Sequence, residues 1–158
     1  MRRTLRGLGV GLILSALLLS PPAPAQGTAP VLASGEFRTG ALVAEVTEAR
    51  RKDGILTTRV RYRVADGAEL AANEIVYTTA KDGYAQAYVI AGDKKYFALK
   101  DAEGAPLMPP AVILIGPKKT GPVGLWWAKF PAPPAEIKTF SLALPGTAPL
   151  DEIPITDG

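Results

Sequence analysis

The pattern that most limits how this chain can fold is a strict alternation of apolar and polar residues over residues 55–64. One face of this segment carries Leu56, Thr58, Val60, Tyr62 and Val64. The other face carries Thr57, Arg59, Arg61 and Arg63. Successive side chains of a β-strand point to opposite faces of the sheet, whereas the side chains of a helix return to one face about every 3.6 residues. The segment therefore predicts a strand with one buried face and one solvated face.

Further strands are predicted by short segments rich in β-branched or aromatic residues: residues 41–49, 74–79, 84–91, 95–100, 111–115, 123–130 and 137–144. Turn residues separate them, and Asp53-Gly54 is a typical hairpin turn between the first two strands. Without a long amphipathic helix, this spacing predicts an all-β fold. We expect an antiparallel sandwich of about seven or eight strands, with a small closed β-barrel as the alternative. The proline-rich residues 145–154 fit only an edge strand or a covering strap.

The first 25 or so residues have the layout of a cleavable secretory signal peptide. Arg2, Arg3 and Arg6 give a positive start, residues 8–19 form an apolar run, and small residues precede Gln26. Because a membrane span needs about 18 to 20 apolar residues, we expect cleavage rather than an uncleaved anchor. Either the general or the twin-arginine export route fits. We expect residues 1–25 to be the signal peptide, 26–40 a flexible lead-in and 41–155 the folded domain, in the periplasm or outside the cell.

The charge balance argues against a nucleic-acid partner. The chain has 18 Lys and Arg residues and 15 Asp and Glu residues, and its excess of positive charge lies entirely in the predicted signal peptide. The mature chain would therefore be neutral. A protein that binds nucleic acid through bulk charge needs a surplus of positive side chains to neutralise phosphates.

The chain contains no histidine and no cysteine. Histidine is the usual base near neutral pH, and imidazole and thiolate are the usual ligands of zinc, haem iron and iron-sulfur clusters. Catalysis by Ser-His or Cys-His pairs is excluded, and we expect no catalytic residue, no metal site and no cofactor. Residues 119–121 (KTG) and 101–104 (DAEG) match fragments of penicillin-recognising and calcium-binding motifs. The other parts of both motifs are missing, so both segments are interpreted as turns.

An arginine stripe is the first candidate for binding. Arg59, Arg61 and Arg63 share one strand face, and we expect the nearby Arg50 and Arg51 to continue this stripe. Such a stripe is either paired with acidic residues of the neighbouring strand or available to an acidic partner. The first interpretation is the more common one.

Two adjacent tryptophans are the second candidate. Trp126 and Trp127 must point to opposite faces of their strand, and Lys129 shares the face of Trp127. Both faces are apolar. We expect the proline-rich C-terminal strap to cover the outer face, and the alternative is an exposed aromatic patch around Trp127.

Parts of the sequence also resemble a known group of domains. Residues 125–134 (LWWAKFPAPP), followed by Leu144-Pro145-Gly146 and residues 151–155 (DEIPI), resemble an uncharacterised group of exported bacterial domains with an immunoglobulin-like sandwich. The hairpin over residues 88–99 and the turn at 101–104 are similar to the same group. The resemblance spans residues 41–155 and implies an immunoglobulin-like form of the predicted sandwich. It implies no functional residue.

These observations predict a non-enzymatic accessory or binding domain of the cell envelope that contacts a protein partner. The alternative is a carbohydrate or small-ligand binding module that uses surface aromatic residues. In either case Trp127, Lys129 and the arginines at 59, 61 and 63 are the expected binding residues.

Overall fold

The computed structural model describes residues 29–78 and 83–158, and within these ranges the chain is all-β. Its strands are β1 (Ala33–Glu36), β2 (Leu42–Lys52), β3 (Ile55–Val64), β4 (Glu74–Thr78), β5 (Tyr88–Ala91), β6 (Lys94–Phe97), β7 (Ala111–Leu114), β8 (Pro122–Pro131), β9 (Thr139–Ala143), β10 (Leu150–Pro154) and β11 (Thr156–Asp157). A 3₁₀ turn spans Gly83–Gln86. Within the same ranges no helical segment has the length and apolarity needed to cross a membrane. The predicted signal peptide lies outside the described residues.

The first sheet has the strand order β1-β2-β3-β8, and all its neighbours on this path are antiparallel. Strand β3 has the bounds that the alternation predicts. It follows β2 through a two-residue turn, since Lys52 pairs with Ile55. The turn residues Asp53 and Gly54 have φ values of 49° and 75°. Positive φ at both positions is the signature of a type I′ hairpin turn, so the predicted hairpin is confirmed.

Two β-bulges change which side chains of this sheet face the core. Thr47 is an extra residue between two paired positions of β2. Even-numbered residues of β2 are buried before it, whereas Ala49 and Arg51 are buried after it. Val123 is the extra residue in β8, and it is buried although Leu125 on the same strand is exposed. A bulge sets two residues against one of the partner strand and so reverses the alternation.

The remaining strands form two smaller sheets, one of order β10-β9-β5-β6 and one of β4 and β7. The strand predicted over residues 84–91 is shorter than expected, because the 3₁₀ turn occupies its first part. In the C-terminal region, β10 is the edge strand of the second sheet, as the prolines predict. Strand β11 pairs in parallel with Arg50 and Arg51 of β2.

All three sheets contribute side chains to one hydrophobic core. Its largest fully buried members are Trp126, Tyr62, Phe37, Phe130, Leu42, Leu56, Leu114, Leu142, Leu150 and Ile153. The described strands form separate sheets and do not close into a single barrel. The barrel alternative is therefore wrong for this part of the chain.

The lead-in predicted over residues 26–40 is partly structured. Residues 33–36 form β1, which pairs with residues 43–46 of β2. Phe37 is 1% exposed, and its ring packs edge-on against Tyr62 at a centroid distance of 6.3 Å. The short Ala-Ser-Gly-Glu strand carries little hydrophobic pattern of its own, and its pairing with β2 and the burial of Phe37 hold it in place. The sheet thus begins before residue 41.

Candidate functional site

Arg61 and Arg63 are held by one carboxylate, that of Glu45 on the neighbouring strand β2. Arg61 Nη2 and Nε donate to Glu45 Oε2 at 2.6 and 3.0 Å, and Arg63 Nε donates to Glu45 Oε1 at 2.6 Å. Glu45 is only 6% exposed. Its burial opposes ionisation, but the hydrogen bonds and charges of the two arginines outweigh that effect and hold the pKa of Glu45 below its ordinary value. These two arginines are thus engaged inside the domain.

Arg59 is the most exposed arginine of the stripe. Its side chain is 65% exposed, compared with 21% for Arg61 and 31% for Arg63. Arg59 Nε lies 2.8 Å from Oε2 of Glu48, and the other oxygen of that carboxylate lies 3.3 Å from Nε of Arg50. One carboxylate therefore faces two guanidinium groups. Glu48 can neutralise only one of these two positive charges, so the sheet face around Arg59 and Arg50 keeps a positive charge.

Arg51 does not belong to the stripe, which corrects the sequence prediction. The bulge at Thr47 turns it to the core side of the sheet, where it is 8% exposed. It donates to the carbonyl oxygens of residues 133, 134, 135 and 137 at 2.6 to 3.2 Å. It also donates to Asp157 Oδ1 at 2.6 Å, and this bond raises the pKa of Arg51. Arg51 fastens the proline-rich loop and the C-terminal strand to β2.

The two tryptophans point to opposite faces of β8, as their adjacency predicts. Trp126 is 1% exposed in the core, whereas Trp127 is 41% exposed on the outer face beside Leu125, which is 72% exposed. The expected cover by the C-terminal strap is wrong. Strand β10 pairs with β9 and β11 pairs with the edge of β2, so neither lies across the outer face of β8. The alternative, an exposed aromatic patch, is the one that the structure contains.

A groove of about 510 Å³ lies beside the exposed indole. It is lined by Ala29, Thr47, Glu48, Arg59, Leu125, Trp126 and Trp127. Arg59 is directly opposite Trp127 in the register of β3 and β8 and opposite Glu48 in that of β2 and β3. Side chains directly opposite one another on a sheet face are within contact range. The groove thus joins a large apolar surface to one exposed cation and one carboxylate.

Three isoleucines of β4 and β7 are also exposed. The backbone N–H of Ile115 donates to Val123 O at 2.8 Å, so the end of β7 runs beside β8. Ile113 and Ile115 are 50% and 57% exposed, and Ile75, opposite Ile113 in the register of β4 and β7, is 57% exposed. Sequence reasoning does not single these residues out, because a continuous apolar run such as 111–115 is typical of a strand buried on both faces.

Lys129 is exposed on β8 two residues beyond Trp127, on the same outer face. Trp127, Arg59 and Lys129 are therefore brought together, and Arg61 and Arg63 lie further along the same face in their bonds to Glu45. Among the described residues, no group of three or more acidic side chains is arranged to hold a metal ion. Asp101 accepts hydrogen bonds from the backbone N–H groups of Glu103 and Ala105 at 3.1 and 2.8 Å, as in an ordinary turn.

Comparison with known proteins gives no match: no family model, no curated protein and no solved structure is similar to this chain. The candidate site therefore stands on its geometry. An exposed tryptophan next to an exposed guanidinium is suited to binding, since such side chains offer a large apolar contact area and charged hydrogen-bond donors.

Proposed function

We propose that this chain is an exported, non-enzymatic binding domain of the cell envelope that docks a protein partner through the outer face of β8. Its sheets and shared core are proposed to form an immunoglobulin-like sandwich, related to the exported bacterial domains that residues 41–155 resemble. The observation that carries the proposal is the exposure of Trp127 and Leu125 on a strand whose other face is fixed in the core.

The size of the exposed surface supports a macromolecular partner. Covering the exposed part of the indole removes about 100 Å² from water, which stabilises a complex by about 2.5 kcal/mol at roughly 25 cal/mol per Å². Leu125, on the same face of β8, adds apolar surface next to it. Tryptophan and arginine are the side chains most often found at the energetic centre of a protein interface, and here Arg59 lies opposite Trp127.

The proposal is tested by placing a photo-crosslinking amino acid at position 125 and recovering the crosslinked protein from envelope preparations. The recovered partner is then purified and its affinity measured directly. Trp127→Ala should weaken binding by at least about tenfold, because it removes the central apolar contact. The matched control is Phe97→Ala, since Phe97 is also half exposed but lies on β6 of the second sheet. Equal effects of the two variants, or no partner at position 125, would remove the proposal.

A second candidate function is carbohydrate binding, which the groove beside Trp127 favours. A sugar ring stacks on an exposed indole, and Glu48 and Arg59 offer an acceptor and donors for its hydroxyl groups. A glycan array probed with the wild type and with Trp127→Ala tests this function. Binding of a defined glycan that the variant loses would favour it over a protein partner.

A further inference from the structure

The unbalanced charge beside Trp127 indicates what the partner presents. Arg59 contacts Glu48 through Nε, and a guanidinium group carries further N–H donors on its two terminal nitrogens. The same Glu48 carboxylate also faces Arg50, so it neutralises at most one of the two cations. Lys129 adds a third cation on this face. A carboxylate is the group that complements such a site, because arginine binds it through two parallel hydrogen bonds.

The apolar part of the groove indicates what accompanies that carboxylate. Ala29, Leu125 and the indole of Trp127 line it. Its volume of about 510 Å³ is within the range of about 300 to 1,000 Å³ that single-ligand clefts occupy. One large side chain and its flanking backbone therefore fit better than a flat protein surface.

We infer that the docking segment of the partner is an extended acidic peptide, in which an Asp or Glu lies next to a large apolar residue. The carboxylate binds Arg59, and the apolar side chain lies in the groove against Trp127 and Leu125. This inference rests on the proposed function, because it names the chemistry of the partner for the same surface. A peptide with a large apolar side chain fits better than a sugar, because the lining of the groove is mainly apolar.

The first experiment selects binders from a phage-displayed library of random linear peptides on the purified protein. Peptides that also bind the Trp127→Ala variant are removed. The retained sequences should be enriched in Asp or Glu within two positions of Trp, Phe or Leu. The selected peptides are then synthesised, and their affinities are measured by fluorescence polarisation at two salt concentrations. Higher salt should weaken them, because exposed charge pairs are screened.

Variants of the charged residues test the carboxylate contact. Arg59→Glu should weaken the acidic peptides by about tenfold or more, and peptides with lysine in place of the acid should then bind the variant better than the wild type. Arg38→Glu is the matched control, because Arg38 is also an exposed arginine in a surface ion pair, with Glu74, and does not line the groove. It should change the affinity by less than about threefold, as expected of a charge outside the binding site.

Glu48→Gln tests whether the Glu48 carboxylate competes with the peptide carboxylate for Arg59. Glu48 occupies Arg59 in the free protein, so its neutralisation should strengthen peptide binding by about two- to fivefold. Circular dichroism and thermal unfolding confirm that each variant is folded. If peptides depend on Trp127 but not on Arg59, the inference is wrong while the proposed function stands. If the library yields no peptide that depends on Trp127, the inference is wrong; if in addition no partner is crosslinked at position 125, or the glycan array alone gives a binder, the proposed function is wrong as well.

Discussion

The clearest quantitative prediction concerns Arg51, which links β2 to the proline-rich loop and the C-terminal strand. Arg51→Met keeps most of the apolar volume and removes the guanidinium. Five acceptors then lose a donor: the carbonyl oxygens of residues 133, 134, 135 and 137 and the carboxylate of Asp157. Among these contacts, the one to the Pro133 carbonyl is buried, whereas the others are partly buried.

The size of the stability loss depends on whether water can reach the acceptors that lose the Arg51 donor. A buried acceptor left without a donor costs about 1 to 3 kcal/mol, and a partly exposed one costs less because water can reach it. Added over the four carbonyl groups, of which one is in a buried contact, the loss in the free energy of unfolding should be about 3 to 5 kcal/mol. A domain has only about 5 to 15 kcal/mol of stability, so the variant should fold but with a much smaller margin.

The assay is equilibrium unfolding in urea, followed by tryptophan fluorescence. With a slope of about 1 to 3 kcal/mol per M, the midpoint should fall by about 2 M. Arg50→Met is the matched control: Arg50 is the neighbouring residue, its side chain is 48% exposed, and its contact with Glu48 is a surface ion pair. It should cost about 0.5 kcal/mol or less. A loss below about 1 kcal/mol for Arg51→Met, or equal losses for the two variants, would contradict the role assigned to Arg51.

The remaining predictions concern the tryptophans, Glu45 and the hairpin turn. Trp126→Ala should cost about 3 to 5 kcal/mol of unfolding free energy and Trp127→Ala less than about 1 kcal/mol, as measured by far-ultraviolet circular dichroism in urea. Similar losses for the two variants would contradict the opposite burial of the two rings. Because the pKa of Glu45 is lower in the folded than in the unfolded chain, its ionised form adds stability above the unfolded value of about 4.5, and this stability is lost as the pH falls through the folded pKa. Glu45→Gln should therefore flatten the stability profile below that pH, and an unchanged slope would refute the pairing. Gly54→Ala should cost about 1 kcal/mol in thermal unfolding, because alanine is strained at a φ of 75° although nothing lies within 4 Å of its added Cβ; a stabilised variant would argue against the type I′ turn.

The sequence predicts those parts of the fold in which one strand carries its own signal. The alternation of β3 predicts its bounds, and Asp53-Gly54 predicts the hairpin with β2. The adjacency of Trp126 and Trp127 likewise predicts that the two rings point to opposite faces of the strand. In each case the signal lies within one short segment. Alternate side chains of a strand point to the same face of the sheet, so the segment alone shows which residues share a face.

The parts that sequence reasoning missed depend on which strands become neighbours. The C-terminal strap was expected over Trp127, but its backbone groups pair with β9 and with the edge of β2. The short β1 lacks a clear pattern, and its place is set by pairing with β2. Among the site residues, Trp127 and the arginine stripe are visible in the sequence. The exposure of Ile113, a residue of β7 that does not line the groove, is not visible in the sequence, because it depends on which strands of the described part of the chain cover β7.

One local irregularity, the bulge at Thr47, links the stability of the domain to its proposed binding surface. The sequence contains a trace of it: small apolar residues fall on even positions up to Val46 and resume at Ala49. The change of phase carries Arg51 to the core side, where its guanidinium meets the carbonyl groups of the proline-rich loop. The same bulge places Thr47 and Glu48 in the lining of the groove beside Trp127. A regular β2 would place Arg51 among the outer arginines and leave the loop carbonyls without their donor, so the bulge is needed both for the C-terminal anchor and for the shape of the groove.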